Sequence, residues 1–344
     1  MSLLPSGDPV AASAPPGPIG IGIDVGGTKV LGVALLPDPD PSAPPRVGPV
    51  ESAPTPPGAG ALTETIASMA ERLMARVGPV ARAGVGVGVG LPGLVDRAGV
   101  LRYGPNVPSI IDYDLTPRLK ARWAAEPVGR VVVDNDAACA TVAEHRIGAA
   151  RGHDHAALVT LGSGIGGGLI VDGRLVRGSH GFAGEPGHTL IDPAGPNCAC
   201  GRVGCWEAMA SGTGLATLAT EAERRGLDPV GRLGPGPGPR APIRGEDVVA
   251  AASRGNADAV AVLDRFSFWV GAGVANLISV LDPGVVVLGG GLSSAGSWFV
   301  DAVGVEANRR VMGSGHRPPV PVVLAQLGPT AGAVGAALLA VPTG

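Results

Sequence analysis

One pattern occurs twice in this chain of 344 residues, and it limits the fold more than any other feature. Ile19-Gly-Ile-Gly-Ile23 alternates as a strand does, enters Asp24-Val-Gly-Gly-Thr-Lys29, and runs at once into a second apolar segment, Val30 to Leu36. A strand directly after a Gly-Gly pair makes Gly26-Gly27 a hairpin turn. It is neither a Walker phosphate loop nor a dinucleotide fingerprint, both of which lead into a helix. From Ala157 the pattern starts again, with a strand to Leu161, a glycine-rich turn Gly162-Ser-Gly-Ile-Gly-Gly-Gly168, and a returning strand Leu169 to Val171. The spacing is too wide for a solenoid repeat, so the reading is one architecture used twice, once per domain.

The remaining segments fit two α/β domains. A Pro-rich loop spans 37–60. Leu62, Ile66, Met69, Leu73 and Val77 recur at helical spacing, stopped by Gly78-Pro79. Ala83 to Leu91 alternates Val with Gly, a strand packed closely against something, and Val131 to Val133 is a buried strand ending at Asp134-Asn-Asp136, with a helix to about Ala150. Beyond the second hairpin, helices are expected at 213–225, 246–254 and 257–281. Then come a strand at 285–288, a helix, a strand at 320–324 and a final helix at 331–339. The predicted domains are 18–134 with 329–344, and 135–328. The second carries a loop at 185–207 and a Pro/Gly segment at 228–243.

Composition narrows the class. Gly numbers 57 and Pro 34, enough to raise the question of low complexity. Fourteen of the prolines fall before Gly58 and five between Pro229 and Pro242, so irregularity is confined to a disordered start, 1–17, and one insert. Net charge is −3 and only Lys29 and Lys120 are lysines, which argues against nucleic acid or anionic membrane as a partner. No basic residue precedes Lys29, so no secretory signal is expected. The stretch from Phe266 to Leu281 is too short and too interrupted to span a bilayer. Three of the four cysteines lie within eight residues, which suits a metal site in a reducing compartment. The expected location is cytoplasmic.

Three constellations carry chemistry. Two glycine hairpins facing each other across a cleft would point backbone N–H groups at phosphate oxygens, and Asp24 at a strand end could hold hydrated Mg²⁺. Asp134-Asn135-Asp136 sits at the carboxyl end of a strand, the edge where α/β sheets bind ligands. A carboxylate there could take a proton from a hydroxyl attacking a phosphoryl group; the same residues also suit a helix N-cap, and both roles stay open. Third is Glu185-Pro-Gly-His188 with Cys198-Ala-Cys200-Gly-Arg-Val-Gly-Cys205-Trp-Glu207. Three thiolates and an imidazole satisfy four-coordinate structural Zn²⁺, and Gly201 and Gly204 allow the bends such a loop needs. Glu185 and Glu207 flank it, either to meet a polyhydroxylated ligand or to support the ligands. Trp206 reads as packing, and Cys139 as a small buried hydrophobe.

Taken together, Asp24-Val-Gly-Gly-Thr-Lys29, Gly88-Val-Gly-Leu-Pro-Gly93, Asn135-Asp136, Leu161 to Gly168, Glu185-x-Gly-His188, the cysteine motif through Glu207 and Val287-Leu-Gly-Gly-Gly291 resemble the ROK family (repressors, open reading frames, kinases). The match extends from about Ile19 to Ala340, and within the family it is most similar to the bacterial ATP-dependent glucokinases. The resemblance implies a two-domain actin/hexokinase-like (ribonuclease H-like, duplicated) α/β fold with an interdomain cleft, its last helix returning to the first domain. It implies phosphorylation of glucose to glucose 6-phosphate, with Asp136 as general base and Mg²⁺ accompanying ATP. Asn135, Asp136, Glu185, His188 and Glu207 match the family's sugar ligands, with Asn106 a further candidate. His188, Cys198, Cys200 and Cys205 match its zinc ligands. Asp24, Gly26, Gly27, Thr28, Lys29, Gly162, Ser163, Gly164, Gly166, Gly167, Gly289, Gly290 and Gly291 match its nucleotide contacts.

Two positions depart from the family pattern: Ala138 stands where Asn is usual, and Pro186 where an aliphatic residue or Phe is usual. Neither removes a proposed catalytic group. The family also contains sugar-responsive repressors, but these carry a basic helix-turn-helix ahead of the first hairpin, and residues 1–18 contain no Lys or Arg. A kinase for N-acetylmannosamine or mannose is the alternative within the enzymes. The family habit implies a homodimer or homotetramer.

Overall fold

The computed structural model describes residues 20–40, 42–78, 84–104, 110–126, 128–232, 241–292 and 296–341. The expected disordered start at 1–17, Asn106 and the middle of the 228–243 segment lie outside them. Strands β1 (Gly20–Val25) and β2 (Lys29–Leu36) form the first hairpin, paired antiparallel from Gly20↔Leu35 to Val25↔Val30. They are joined by β3 (Arg46–Pro54), β4 (Val85–Leu91) and β8 (Val128–Asn135) in the order β3-β2-β1-β4-β8, with β4 and β8 parallel to β1. The second sheet is built from β9 (Ala156–Leu161), β10 (Ile165–Val171), β11 (Arg174–Leu175), β12 (Val285–Gly289) and β13 (Val322–Leu324), ordered β11-β10-β9-β12-β13. Strand for strand, directions included, it repeats the first. The duplicated hairpin is therefore the visible part of a duplicated sheet.

Helix α1 (Ala59–Val77) covers one face of the first sheet, and α9 (Ala331–Ala340) the other. Helix α3 (Asp136–Ile147) lies beside α9 and packs on the second sheet. Helices α4 (Trp206–Ala210), α5 (Gly212–Arg224), α6 (Gly245–Ser253), α7 (Ala257–Leu281) and α8 (Ser297–Arg310) fill its outer side. The period-2 geometry of β9 is explicit here: Ala157, Val159 and Leu161 enter the core shared with α5–α8, while Ala156 and Leu158 face α3. By length and composition α7 could cross a bilayer, but Leu263, Phe266, Val270 and Val274 are fully buried in the second core, which accounts for its apolar character.

The Val-Gly alternation finds its partner in α9. Methyl groups at Gly22 and Gly88 would overlap the backbone of Ala333 and Ala336, and one at Gly335 would overlap the Cys139 carbonyl of α3. Alanine and glycine on both sides let helix and strand backbones approach to contact, so α9, apolar all round, is buried between sheet and helix.

The sequence reading differs from this fold in places. Residues 46–54, expected as loop, form β3, an edge strand whose Pro49 and Pro54 are tolerated because one side needs no ladder. A small sheet of β5 (Leu94–Val95), β6 (Val100–Tyr103) and β7 (Tyr113–Asp114) and the short helix α2 (Thr116–Arg122) were also unexpected. The second hairpin turn is shorter than expected. Gly166, Gly167 and Gly168 lie within β10, pressed against Ala137, Pro186 and Thr141.

Candidate active site

A cavity of about 580 Å³ lies between the two sheets, at the carboxyl ends of β1, β8, β9 and β12. The first sheet contributes Asp24 and the junction of β8 with α3. Asn135 is the N-cap of α3: its Oδ1 accepts the Ala138 N–H at 2.8 Å, and its Nδ2 donates to the Gly93 carbonyl at 3.0 Å. This fixes the residue that follows. Asp136 opens the helix with its carboxylate on the cavity wall, and Oδ1 accepts the Ala137 N–H at 2.8 Å. The two open roles thus fall to neighbours, the cap to Asn135 and the free carboxylate to Asp136.

The second sheet contributes the turn after β9 and the loop that follows β11. Glu207, at the start of α4, reaches back to accept the Ile165 N–H at 2.8 Å. Its carboxylate lies so close to Gly164 that any side chain there would overlap it. Ser163 and Gly162 are held from behind, by Thr213 Oγ1 at 2.9 Å and the Gly212 N–H at 2.7 Å. Glu185 and His188 bracket a single 3₁₀ turn, Pro186–His188, and both line the cavity.

Behind Glu207 the chain closes a knot. The bridges Leu190↔Cys205 and Asn197↔Val203, with left-handed glycines at 201 (φ 86°) and 204 (φ 73°), bring Cys198, Cys200 and Cys205 to His188. One ligand atom from each residue lies within 4.8 Å of the others. Four-coordinate zinc with Zn–S bonds of about 2.3 Å requires sulfur–sulfur edges of about 3.8 Å. Cys200 and Cys205 are 3.7 Å apart, and Cys198 Sγ is 3.8 Å from His188 Nδ1. The donor set and its spacing fit zinc. Cys198 Sγ is also 3.6 Å from Glu207 Oε1, so the knot and the cavity wall are in contact.

Burial of carboxyl groups governs the electrostatics, with mutual repulsion second. Burial, then the nearby Asp136, pushes Asp24 up to about 8 against the pull of Lys29. Burial raises Asp136 itself to about 6, opposed by backbone N–H groups at the helix start. Glu185 rises to about 7 through burial, then repulsion from Asp136 and Glu207. Such a cluster favours whatever brings positive charge or hydrogen-bond donors, such as a divalent cation or a polyol.

Of the residues singled out from sequence, Asp24, Asn135, Asp136, Gly162, Ser163, Gly164, Gly166, Glu185, His188, Glu207, Gly289 and Gly290 share this cavity. Gly26, Gly27, Thr28, Lys29, Gly167 and Gly291 are not on its walls. The first four form the exposed tip of the β1–β2 hairpin, closed by a 2.8 Å bond from Gly26 N–H to the Lys29 carbonyl, and Gly167 supports Pro186 from within β10. Pro186 is buried in that contact, outside the cavity wall. Trp206 is buried as packing, its indole donating to the Trp269 carbonyl at 2.8 Å.

Two sets of contacts escaped the sequence reading. Glu144, two turns along α3 from Asp136, is buried at the cavity edge and accepts N–H groups from Ala149, Gln326 and Leu327 at 2.8, 3.1 and 2.8 Å. It ties α3 to the segment leading into α9. Asp134 holds Arg177 (Nε at 3.0 Å), pinning the end of β8 to the loop after β11. Helical spacing from Asp136 could have flagged Glu144; nothing local pairs Asp134 with Arg177.

This duplicated α/β fold with a carboxylate-lined cleft is that of a sugar kinase of the actin/hexokinase type, and the chain belongs to the ROK family, whose profile matches residues 20–342. It is 37% identical over 324 residues to the glucokinase of Streptomyces coelicolor, covering 93% of this chain and 96% of that protein. Among solved structures it resembles a ROK family glucokinase from Streptomyces griseus in complex with glucose and AMPPNP, with a TM-score of 0.79 and 35% identity over 94% of this chain and 99% of that one. The ROK hexokinase from Thermus thermophilus is similar, with a TM-score of 0.74 and 34% identity over 94% and 97%.

Proposed function

We propose that this protein is a glucokinase that transfers the γ-phosphoryl group of ATP to the 6-hydroxyl of glucose in the cytoplasm. The observation that carries the reading is the Asp136 carboxylate, aimed into the cleft from the first turn of α3 and fixed there by the Asn135 cap. Glucose would lie against Asn135, Glu185, His188 and Glu207, whose acceptors outnumber donors as a polyol requires. ATP would lie between the two hairpin turns, its phosphates towards the N–H groups of Ser163 and Gly164 and the tip at 26–29.

The 6-hydroxyl oxygen attacks the γ-phosphorus as the bond to the ADP oxygen breaks, and Asp136 accepts the hydroxyl proton. A carboxyl held at about 6 is ionised at neutral pH, yet basic enough to share the proton as the oxygen bonds to phosphorus. The turns contribute position and N–H groups more than covalent chemistry. Mg²⁺ arriving with ATP would supply charge neutralisation, and Asp24 on the cleft wall would hold it as a carboxylate, giving up the proton that burial otherwise retains. His188, Cys198, Cys200 and Cys205 would hold Zn²⁺, a closed set with no position for substrate, so its role is structural. A coupled assay of a hexose panel against ATP, ADP, GTP and polyphosphate tests the reading. Glucose with ATP should give the highest kcat/KM; preference for N-acetylmannosamine, or no hexose phosphorylation, would overturn it. The implied homodimer or homotetramer is read by light scattering on the same preparation.

A further inference from the structure

A second cavity, of about 240 Å³, lies where β8, the carboxyl ends of α3 and α9, and the loop after β11 meet. It shares no wall residue with the cleft, although the chain passes from one to the other between Asp134 and Asn135. Arg97, Arg130, Arg146 and Arg177 face it, with two carboxylates, Asp96 and Asp134.

The carboxylates are already engaged. Asp134 holds Arg177, and Asp96 holds Arg102 at 2.7 Å. The other arginines meet only neutral acceptors: Arg97 Nε donates to the Gly178 carbonyl at 2.8 Å, and Arg146 to the Leu338 carbonyl at 2.9 Å. Arg130 has no ion pair or hydrogen bond among the described residues. Burial, then the neighbouring Arg177, holds Arg146 below the usual arginine range, a sign of cations crowded together. Arg97, Arg130 and Arg146 therefore line the cavity without a carboxylate partner of their own, in a chain whose net charge is −3.

We propose that this cavity binds a small phosphate-bearing anion through Arg97, Arg130 and Arg146. Guanidinium groups match phosphate oxygens in pairs, and Val132, Val133, Leu339 and Val341 form an apolar floor beneath them. The cavity is large enough for inorganic phosphate or a short phosphate monoester. An occupant would join parts of both halves. Arg130 belongs to the first sheet and Arg146 to α3, while the Arg97 N–H bonds the His180 carbonyl of the second half at 3.2 Å.

Isothermal titration calorimetry of the full chain with inorganic phosphate, and separately with glycerol 3-phosphate, tests this. Arg130→Glu should weaken whichever anion binds by about tenfold to a hundredfold, the loss of one charge-assisted contact, with little change in Tm. Arg265→Glu, on the exposed side of α7, controls for bulk charge and should leave binding unchanged. Tighter binding of inorganic phosphate, or of the monoester, assigns the source and supports the site either way. Equal affinity in wild type and Arg130→Glu would place the anion in the cleft and overturn the proposal, as would the absence of binding by wild type at millimolar concentrations.

Discussion

The two glycine hairpins occupy equivalent places in equivalent sheets, yet they are supported in opposite ways. The tip at 26–29 is exposed, closed by its own Gly26–Lys29 bond and braced by one neighbour, Thr55, whose hydroxyl donates to the Gly26 carbonyl and whose N–H donates to the Thr28 carbonyl. The turn at 162–164 is enclosed: Glu207 takes the Ile165 N–H, Thr213 and Gly212 hold its carbonyls, and the cysteine knot stands behind Glu207. The first half places its carboxylates by packing, with Asp24 on β1 and Asp136 on α3, both set by α9 pressed against glycines. The second half places Glu185 and His188 at a 3₁₀ turn and Glu207 at the start of α4, outside the sheet ladder, and braces them with a knot whose donors suit a metal. Two copies of one scaffold thus solve the same positioning problem by different physics.

The largest expected effect comes from the packed half. Asp136→Asn keeps shape and removes the base, so kcat should fall by about 10² or more with little change in glucose affinity. Stopped-flow turnover alongside equilibrium glucose binding reads both. Gly88→Ala should follow, because its methyl overlaps the Ala336 backbone and α9 must shift. A loss of about 1–3 kcal/mol in chemical denaturation is expected, and wild-type stability would show that α9 does not hold the first half.

A matched pair then compares the turns directly. Gly164→Ala displaces Glu207 from the Ile165 N–H and should raise the glucose KM about tenfold, the scale of one charged hydrogen bond. Gly26→Ala, whose methyl would sit 3.1 Å from the Lys29 carbonyl, should change either KM by less than about twofold. Equal effects would erase the distinction drawn between enclosed and open turns. A last effect is in pH dependence. Asp24 and Asp136 are raised in the folded chain to about 8 and about 6, so the fold binds protons that the unfolded chain releases above about 4. Their contribution to stability is full below that pH and is lost as pH rises through about 6 and about 8. Thermal shifts should show Mg²⁺ with nucleotide raising Tm more at pH 8.5 than at pH 5.

Legibility from sequence followed the same division. The knot could be read because its ligands are close in sequence and chemically distinctive, and Gly201 and Gly204 carry the left-handed backbone that their positions suggested. The first hairpin and the alternation in β4 were readable from period and composition. What escaped depended on distant partners. The run Gly166 to Gly168 looks like turn and is strand, because Ala137, Pro186 and Thr141 crowd it from other segments. β3 hides behind its prolines, which only an edge position makes acceptable. Glu144 on Gln326 and Leu327, and Arg177 on Asp134, join residues that no local motif connects.

On the proposed function, a metal bound in the cysteine knot would hold the side of the cleft that carries Glu185, His188 and Glu207, and packing would hold the other. Cys200→Ser weakens one thiolate ligand without adding bulk, and metal analysis with both KM values on the same preparation measures the consequence. Loss of about one zinc per chain, a glucose KM raised about tenfold and an ATP KM within about twofold of wild type are predicted. A zinc-free protein with unchanged glucose KM, or one in which both KM values rise together, would contradict the account.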